Sequence, residues 1–145
     1  MANEKRLKII EQGVEIWNKW RKENQRVPRP DLREANLSDS DLIDADLPGA
    51  IFRVANLTGA DLTRTNITGA NFTRTCLSNA HFNDTKLCQA NFYKVNLSEA
   101  ELNGANIEEA TLVETDLSEA TLTDCSIYGI SAWGIKLANV KEQSI

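Results

Sequence analysis

Histidine occurs once in the 145 residues, and cysteine and proline three times each. The lone His81 has no cysteine beside it, so the clustered ligands that a zinc ion needs do not form in the sequence. No metal, cofactor or catalytic residue is expected. Cys76, Cys88 and Cys125 are odd in number, which suits free thiols in a reducing cytosol. No apolar run reaches 18 residues, so no membrane span is expected. Glu4 and the other early charges interrupt any leader-like apolar stretch, and the expected compartment is the cytoplasm. Between residues 32 and 127 the two usual periods are also missing: apolar residues recur neither every 3.6 positions nor every second one.

The period there is five. Every fifth residue from Leu32 to Ile127 is Leu, Phe or Ile, giving 20 unbroken units with 13 Leu, 4 Phe and 3 Ile. A second comb runs two residues ahead of it and holds Ala at 12 of its 20 positions, with Ser40, Thr65, Thr75, Thr85, Thr115 and Cys125 among the rest. Fixed self-similarity marks a solenoid. A unit this short holds one brief extended piece and one turn. Four units then make a coil of roughly square section, with the large and small apolar residues inside and the other three outside. Coils stack at strand spacing, ~4.8 Å, so five of them stand about 24 Å tall.

The runs Ala35-Asn36-Leu37, Ala45-Asp46-Leu47, Ala55-Asn56-Leu57, Ala60-Asp61-Leu62 and Ala70-Asn71-Phe72 resemble the pentapeptide repeat family, whose unit is Ala-(Asp/Asn)-Leu-x-x. The resemblance covers about two-thirds of the chain, and 12 of the 20 positions before the central residue are Asp or Asn. It implies an all-β solenoid, a right-handed quadrilateral β-helix of about five coils. The stretches Gly13–Arg21 and Ile127–Trp133 resemble the helical start and the shaft end of cyanobacterial members.

Five of the seven glycines (49, 59, 69, 104 and 129) fall on the second residue after the central one. That residue needs φ > 0 in a type II turn, which Gly tolerates and Val does not. Type II turns are therefore expected mainly in the Gly units. Units ending in Val54, Arg74, Lys94 or Glu114 should be type I. Phe52, Phe72 and Phe92 stand 20 apart and should form one column, with Phe82 on the opposite wall.

Three segments follow: a helical cap and linker over 1–30, the β-helix over 31–130, and a partial coil or cap over 131–145. Leu7, Ile10, Val14 and Trp17 predict one helix over about 3–24, ended by Pro28 and Pro30. It would cover the open edge of the first coil. A basic amphipathic helix also suits a membrane surface, but Trp17 and Trp20 are expected to pack on the coil. At the other end Ile130/Ala132 and Ile135/Leu137 keep the two-residue offset and should build half a sixth turn, with Trp133 and Val140 closing its edge.

Positions 20 apart stack, so each outward residue belongs to a wall. Wall one, centred on 32, 52, 72, 92 and 112, shows Arg33, Ile51, Arg53, Val54, Arg74, Tyr93, Lys94 and Val113. Wall three, opposite, shows Asp41, Asp44, Asp61, Asp84, Glu101 and Asp124, relieved by Arg64 and His81. The net charge of -5 hides this contrast. It also hides an axial one: Ser98 to Asp124 holds eight acids and no base. Apolar residues rimmed by arginine on a flat wall suit a protein contact. The first functional reading is therefore a non-catalytic interaction or scaffold module whose partner is an unidentified protein. It would be a monomer or a weak end-to-end dimer.

Two other readings compete. Some members of the resembled family mimic duplex DNA and bind DNA gyrase; the alternative is such a mimic, for gyrase or another nucleic-acid-binding protein. A DNA-like field should be continuous, whereas Arg53, Arg64, Arg74, Lys86 and Lys94 interrupt it. An enzyme would draw on Asp61, His81 and Glu101, stacked in one column, but a flat wall offers no pocket to exclude water. Four cations and one tyrosine on an acidic chain argue against direct nucleic-acid binding.

Overall fold

The computed structural model describes residues 3–141, in which two short helices precede a square coil. The helices are α1, Glu4–Ile10, and α2, Val14–Glu23. From Asp31 onward each extended piece pairs in parallel with the piece 20 residues later. Asp31, Ile51, Asn71, Asn91 and Thr111 form one such ladder, and Asp41, Asp61, His81, Glu101 and Thr121 form the opposite one. The pieces are so brief that, among the described residues, only Thr111–Val113 (β1) and Ser131–Trp133 (β2) are regular strands, paired in register from Thr111↔Ser131 to Val113↔Trp133.

Three rungs per unit tie coil to coil. Phe52 N–H donates to Asn71 O at 2.8 Å, Val54 N–H to Thr73 O at 3.1 Å, and Asn71 N–H to Ala50 O at 2.9 Å. Each corner is a β-turn closed across the central residue, as where Ala55 N–H donates to Phe52 O at 2.9 Å.

Those rungs overturn the expected mixture of turn types. The third turn residue has positive φ throughout, including Val54 (62°), Arg74 (59°), Lys94 (55°) and Glu114 (52°). The cause lies in the central peptide of the turn. Its Arg53 carbonyl accepts from Glu34 N–H of the coil below, and its Val54 N–H donates to the coil above. A type I turn flips this peptide and loses both bonds. Two rungs, each contributing about 1 kcal/mol, outweigh a left-handed residue costing roughly 1–2 kcal/mol.

The central comb fills the interior, fully buried from Leu32 to Leu117. Phe72 stacks between Phe52 and Phe92 with ring centroids 5.1 Å away on each side, and meets Phe82 edge-on at 6.3 Å. Threonine replaces alanine inside without leaving a polar group unpaired. Thr65, Thr75, Thr85 and Thr115 each donate to the carbonyl of a central residue 23 positions earlier, at 2.7–2.8 Å. Cys125 Sγ takes the same slot against Leu102 O at 2.8 Å.

The expected single helix is two, broken at Gly13, whose φ of 114° is not helical. The break turns both Ile10 and Trp17 onto the first coil, where they are buried. The indole of Trp17 donates to Asp46 O at 2.8 Å, and Asp46 N–H donates to Asn18 Oδ1 at 2.8 Å. One coil higher, Asn66 offers the same two groups to backbone, accepting from Leu47 and donating to Ala45. Trp17 and Asn18 thus stand in for a missing coil.

At the other end Ser131 and Lys136 keep the rung to the coil below on two walls of a sixth coil, and Lys141 keeps a further rung at the edge of the described residues. Trp133 does not close it: its side chain points out from wall one and is 77% exposed. As the first residue after the inward Ala132, it belongs to an outward column. Leu122, Ile127, Ile130, Ile135 and Leu137 instead line an apolar pit of about 170 Å³ at the end of the shaft. Residues 142–145 of the expected terminal segment lie outside the described residues.

Candidate functional site

All eight residues expected on wall one lie on its outer face, but the structure divides its cations into two groups. Arg33 is held by Asp31 of its own coil, Nε to Oδ1 at 2.9 Å and Nη2 to Oδ2 at 2.7 Å. This pair holds the Asp31 carboxyl below its ordinary range. Lys94 lies 5.1 Å over the Tyr93 ring and 3.4 Å from Glu114, which together raise its pKa. Arg53 and Arg74 have no side-chain hydrogen bond or ion pair among the described residues. Val54, between them on the wall, is 55% exposed, while Ile51, Tyr93 and Val113 are half-buried.

Trp133 was not among the expected wall residues. It stands one coil above Val113 and two above Tyr93, extending an apolar column toward the open end. The signal was present: 133 is 113 plus 20, and the register survives although the apolar comb breaks after Ile127.

On wall three the acids are largely engaged. Asp44 forks Arg64 through two contacts of 2.9 Å. His81 Nδ1 lies 3.0 Å from Glu101 Oε2, and Asn83 Nδ2 donates to the same oxygen at 3.0 Å. Asn83, ahead of His81, keeps the Glu101 carboxyl below its ordinary range. Asp61 does not join them, because its Oδ1 accepts the backbone N–H of Thr63 at 2.9 Å. The stacked column is thus one exposed pair and one local turn, with His81 and Glu101 side chains 42% and 45% exposed. Cys76 is exposed on wall two, Cys88 half-buried on wall four, and Cys125 points inward. No helix among the described residues is long and apolar enough to cross a membrane.

A 20-residue square coil with stacked inward residues is a β-solenoid with four flat walls. The sequence profile described as Pentapeptide repeats matches this chain in eight copies, over residues 35–74, 66–104, 75–112 and 100–131. The chain belongs to the pentapeptide repeat family, and its fold is the right-handed quadrilateral β-helix. Among solved structures it is similar to the pentapeptide repeat protein Rfr23 from the cyanobacterium Cyanothece 51142. That match has 26% identity and a TM-score of 0.74, covering 83% of this chain and 97% of that one. It is also similar in fold to the trypsin-treated form of QnrB1, a plasmid-mediated fluoroquinolone resistance protein. There the identity is 21% and the TM-score 0.52, covering 79% of this chain and 63% of that one. No functionally curated protein matches.

Proposed function

We propose that this chain is a non-catalytic recognition shaft of the cytoplasm whose wall one contacts a protein partner. The observation that carries the reading is that Arg53 and Arg74, around exposed Val54, have no side-chain partner among the described residues, on a wall whose other two cations are neutralised from within. Arginine and aromatic residues are enriched at contact surfaces, and wall one adds Tyr93 to its arginines. A stiff backbone with its rungs filled removes the backbone share of the ordering cost, leaving only that of the arginine side chains. Affinity purification with the tagged chain, beside a Tyr93→Ala/Arg53→Glu variant, tests it. A partner kept by the native form and lost by the variant is the expected result; a partner kept equally by both removes wall one.

The acidic coils from Ser98 to Asp124 favour a second reading, a DNA mimic acting on DNA gyrase or another nucleic-acid-binding protein. Its test is gyrase supercoiling with micromolar protein added, and unchanged supercoiling sinks it. The apolar pit bears on assembly, because an exposed core edge favours weak end-to-end association over a strict monomer. Sedimentation across a concentration series decides between the two.

A further inference from the structure

The geometry points to Val54 as the apolar anchor of a site for an extended acidic peptide segment. The inference deepens the wall-one reading and rests on it. Among the described third turn residues, which all have positive φ, Val54 is the only β-branched one. The others are Gly, Asn, Asp, Gln, Glu, Lys or Arg. A branched Cβ crowds the backbone in the left-handed region, which makes valine a true outlier there. Burial could have compensated the strain, but Val54 is 55% exposed. The rungs offset the left-handed backbone in every unit alike, but the extra crowding of a branched side chain gains little packing at this exposed position, and strain of that kind accompanies function.

The chemistry around Val54 names the ligand. Its backbone is already used: Val54 N–H donates to Thr73 O, and Arg53 O accepts from Glu34 N–H. A partner strand therefore cannot add to the wall here, and recognition must run through side chains. Glu34 lies one coil below Val54 in its column and Arg74 one coil above, with Arg53 adjacent. The two unpaired guanidinium groups can fork carboxylates, and Val54 with half-buried Ile51 offers an apolar spot between them. The fitting partner carries an apolar side chain flanked by Asp or Glu. The shaft supplies orientation: Ser98 to Asp124 holds eight acids and no base, so an acidic segment is repelled from those coils.

A random-peptide display library selected on the native chain, with Val54→Gly and Arg53→Glu/Arg74→Glu as comparison baits, tests this. The expected result is enrichment of peptides with carboxylates on both sides of an apolar residue. Their affinity should fall about tenfold or more on each variant. Val54→Gly should also melt at a higher temperature than the native chain, so lost binding cannot be misfolding. Absent enrichment, enriched peptides without acids, equal binding by Val54→Gly, or a lower melting temperature for that variant each overturn the inference. A cellular partner lost by Tyr93→Ala/Arg53→Glu but kept by Val54→Gly leaves the broader wall-one reading standing while this inference fails.

Discussion

The indole nitrogen of Trp17 donates to the backbone carbonyl of Asp46 at 2.8 Å, which makes a side chain the bottom rung of the shaft. Trp17→Phe keeps most of the packing and removes the donor. It should cost about 1–3 kcal/mol, the usual range for a buried acceptor left unpaired. Asn18→Ala should leave the fold intact and speed hydrogen exchange at the Asp46 amide, which donates to Asn18. Denaturant titration and amide exchange read these two effects separately.

Phe72 is the most enclosed ring, with a stacked phenylalanine on each side and a third edge-on. Phe72→Ala should cost about 3–5 kcal/mol, the range for emptying a buried aromatic site. Phe72→Leu should cost less, because leucine already fills most positions of the comb. Phe72→Asp should fail to fold. Urea denaturation followed by circular dichroism ranks the three.

Cys125 tests whether the inward threonine slot is general. Burial raises its thiol pKa, and the sulfur fills the place that threonine fills at 65, 75, 85 and 115. Cys125→Thr should therefore change stability by less than about 1 kcal/mol, as a swap that keeps the donor. In the native chain a thiol reagent should modify exposed Cys76 fastest and Cys125 slowest. Timed modification followed by mass spectrometry gives the order.

Among the described residues four carboxyls are held below their ordinary range. Asp31 is lowered chiefly by Arg33, Asp44 by Arg64, Glu101 by Asn83 and then His81, and Asp116 by Ser118 ahead of Lys136. A lowered folded-state pKa means that the unfolded chain binds more protons in this window. The stability these groups contribute is present above the ordinary carboxylate range and is lost as pH falls through the lowered values. Urea midpoints should drop across that acidic window, and Glu101→Gln should make the drop shallower. Because all four are largely solvated, each effect is small. An unchanged pH profile for Glu101→Gln would show that its contacts contribute nothing.

The interior was legible from residues alone, because each central position must point inward for the comb to make sense. The Phe52–Phe72–Phe92 column followed from a spacing of 20. Turn type was not legible, for a reason specific to solenoids. Residue preferences at Val54 or Lys94 describe one turn by itself, whereas its central peptide is fixed by rungs to the coils on both sides. The break at Gly13 was readable in principle, since glycine is a weak helix former, but the even spacing of Leu7, Ile10, Val14 and Trp17 masked it. Trp133 was misplaced because attention to the failing apolar comb hid the 20-residue register that still ran beneath it. Pairing on wall one was legible in part: Asp31 stands two residues before Arg33 where Ile51 stands before Arg53, and Glu114 stands 20 beyond Lys94.

A shaft sealed by Trp17 and Asn18 at one end and, among the described residues, ending in an apolar pit at the other has a direction of assembly. The sealed end is made first during synthesis, and its completed coil offers a ready template. Each further coil then needs only a 20-residue excursion to find its rungs. Folding can thus advance like a ratchet from the sealed end, and unravelling begins at the pit. The same polarity favours change at the open end: a 20-residue insertion there lengthens the rod and leaves every established contact in place.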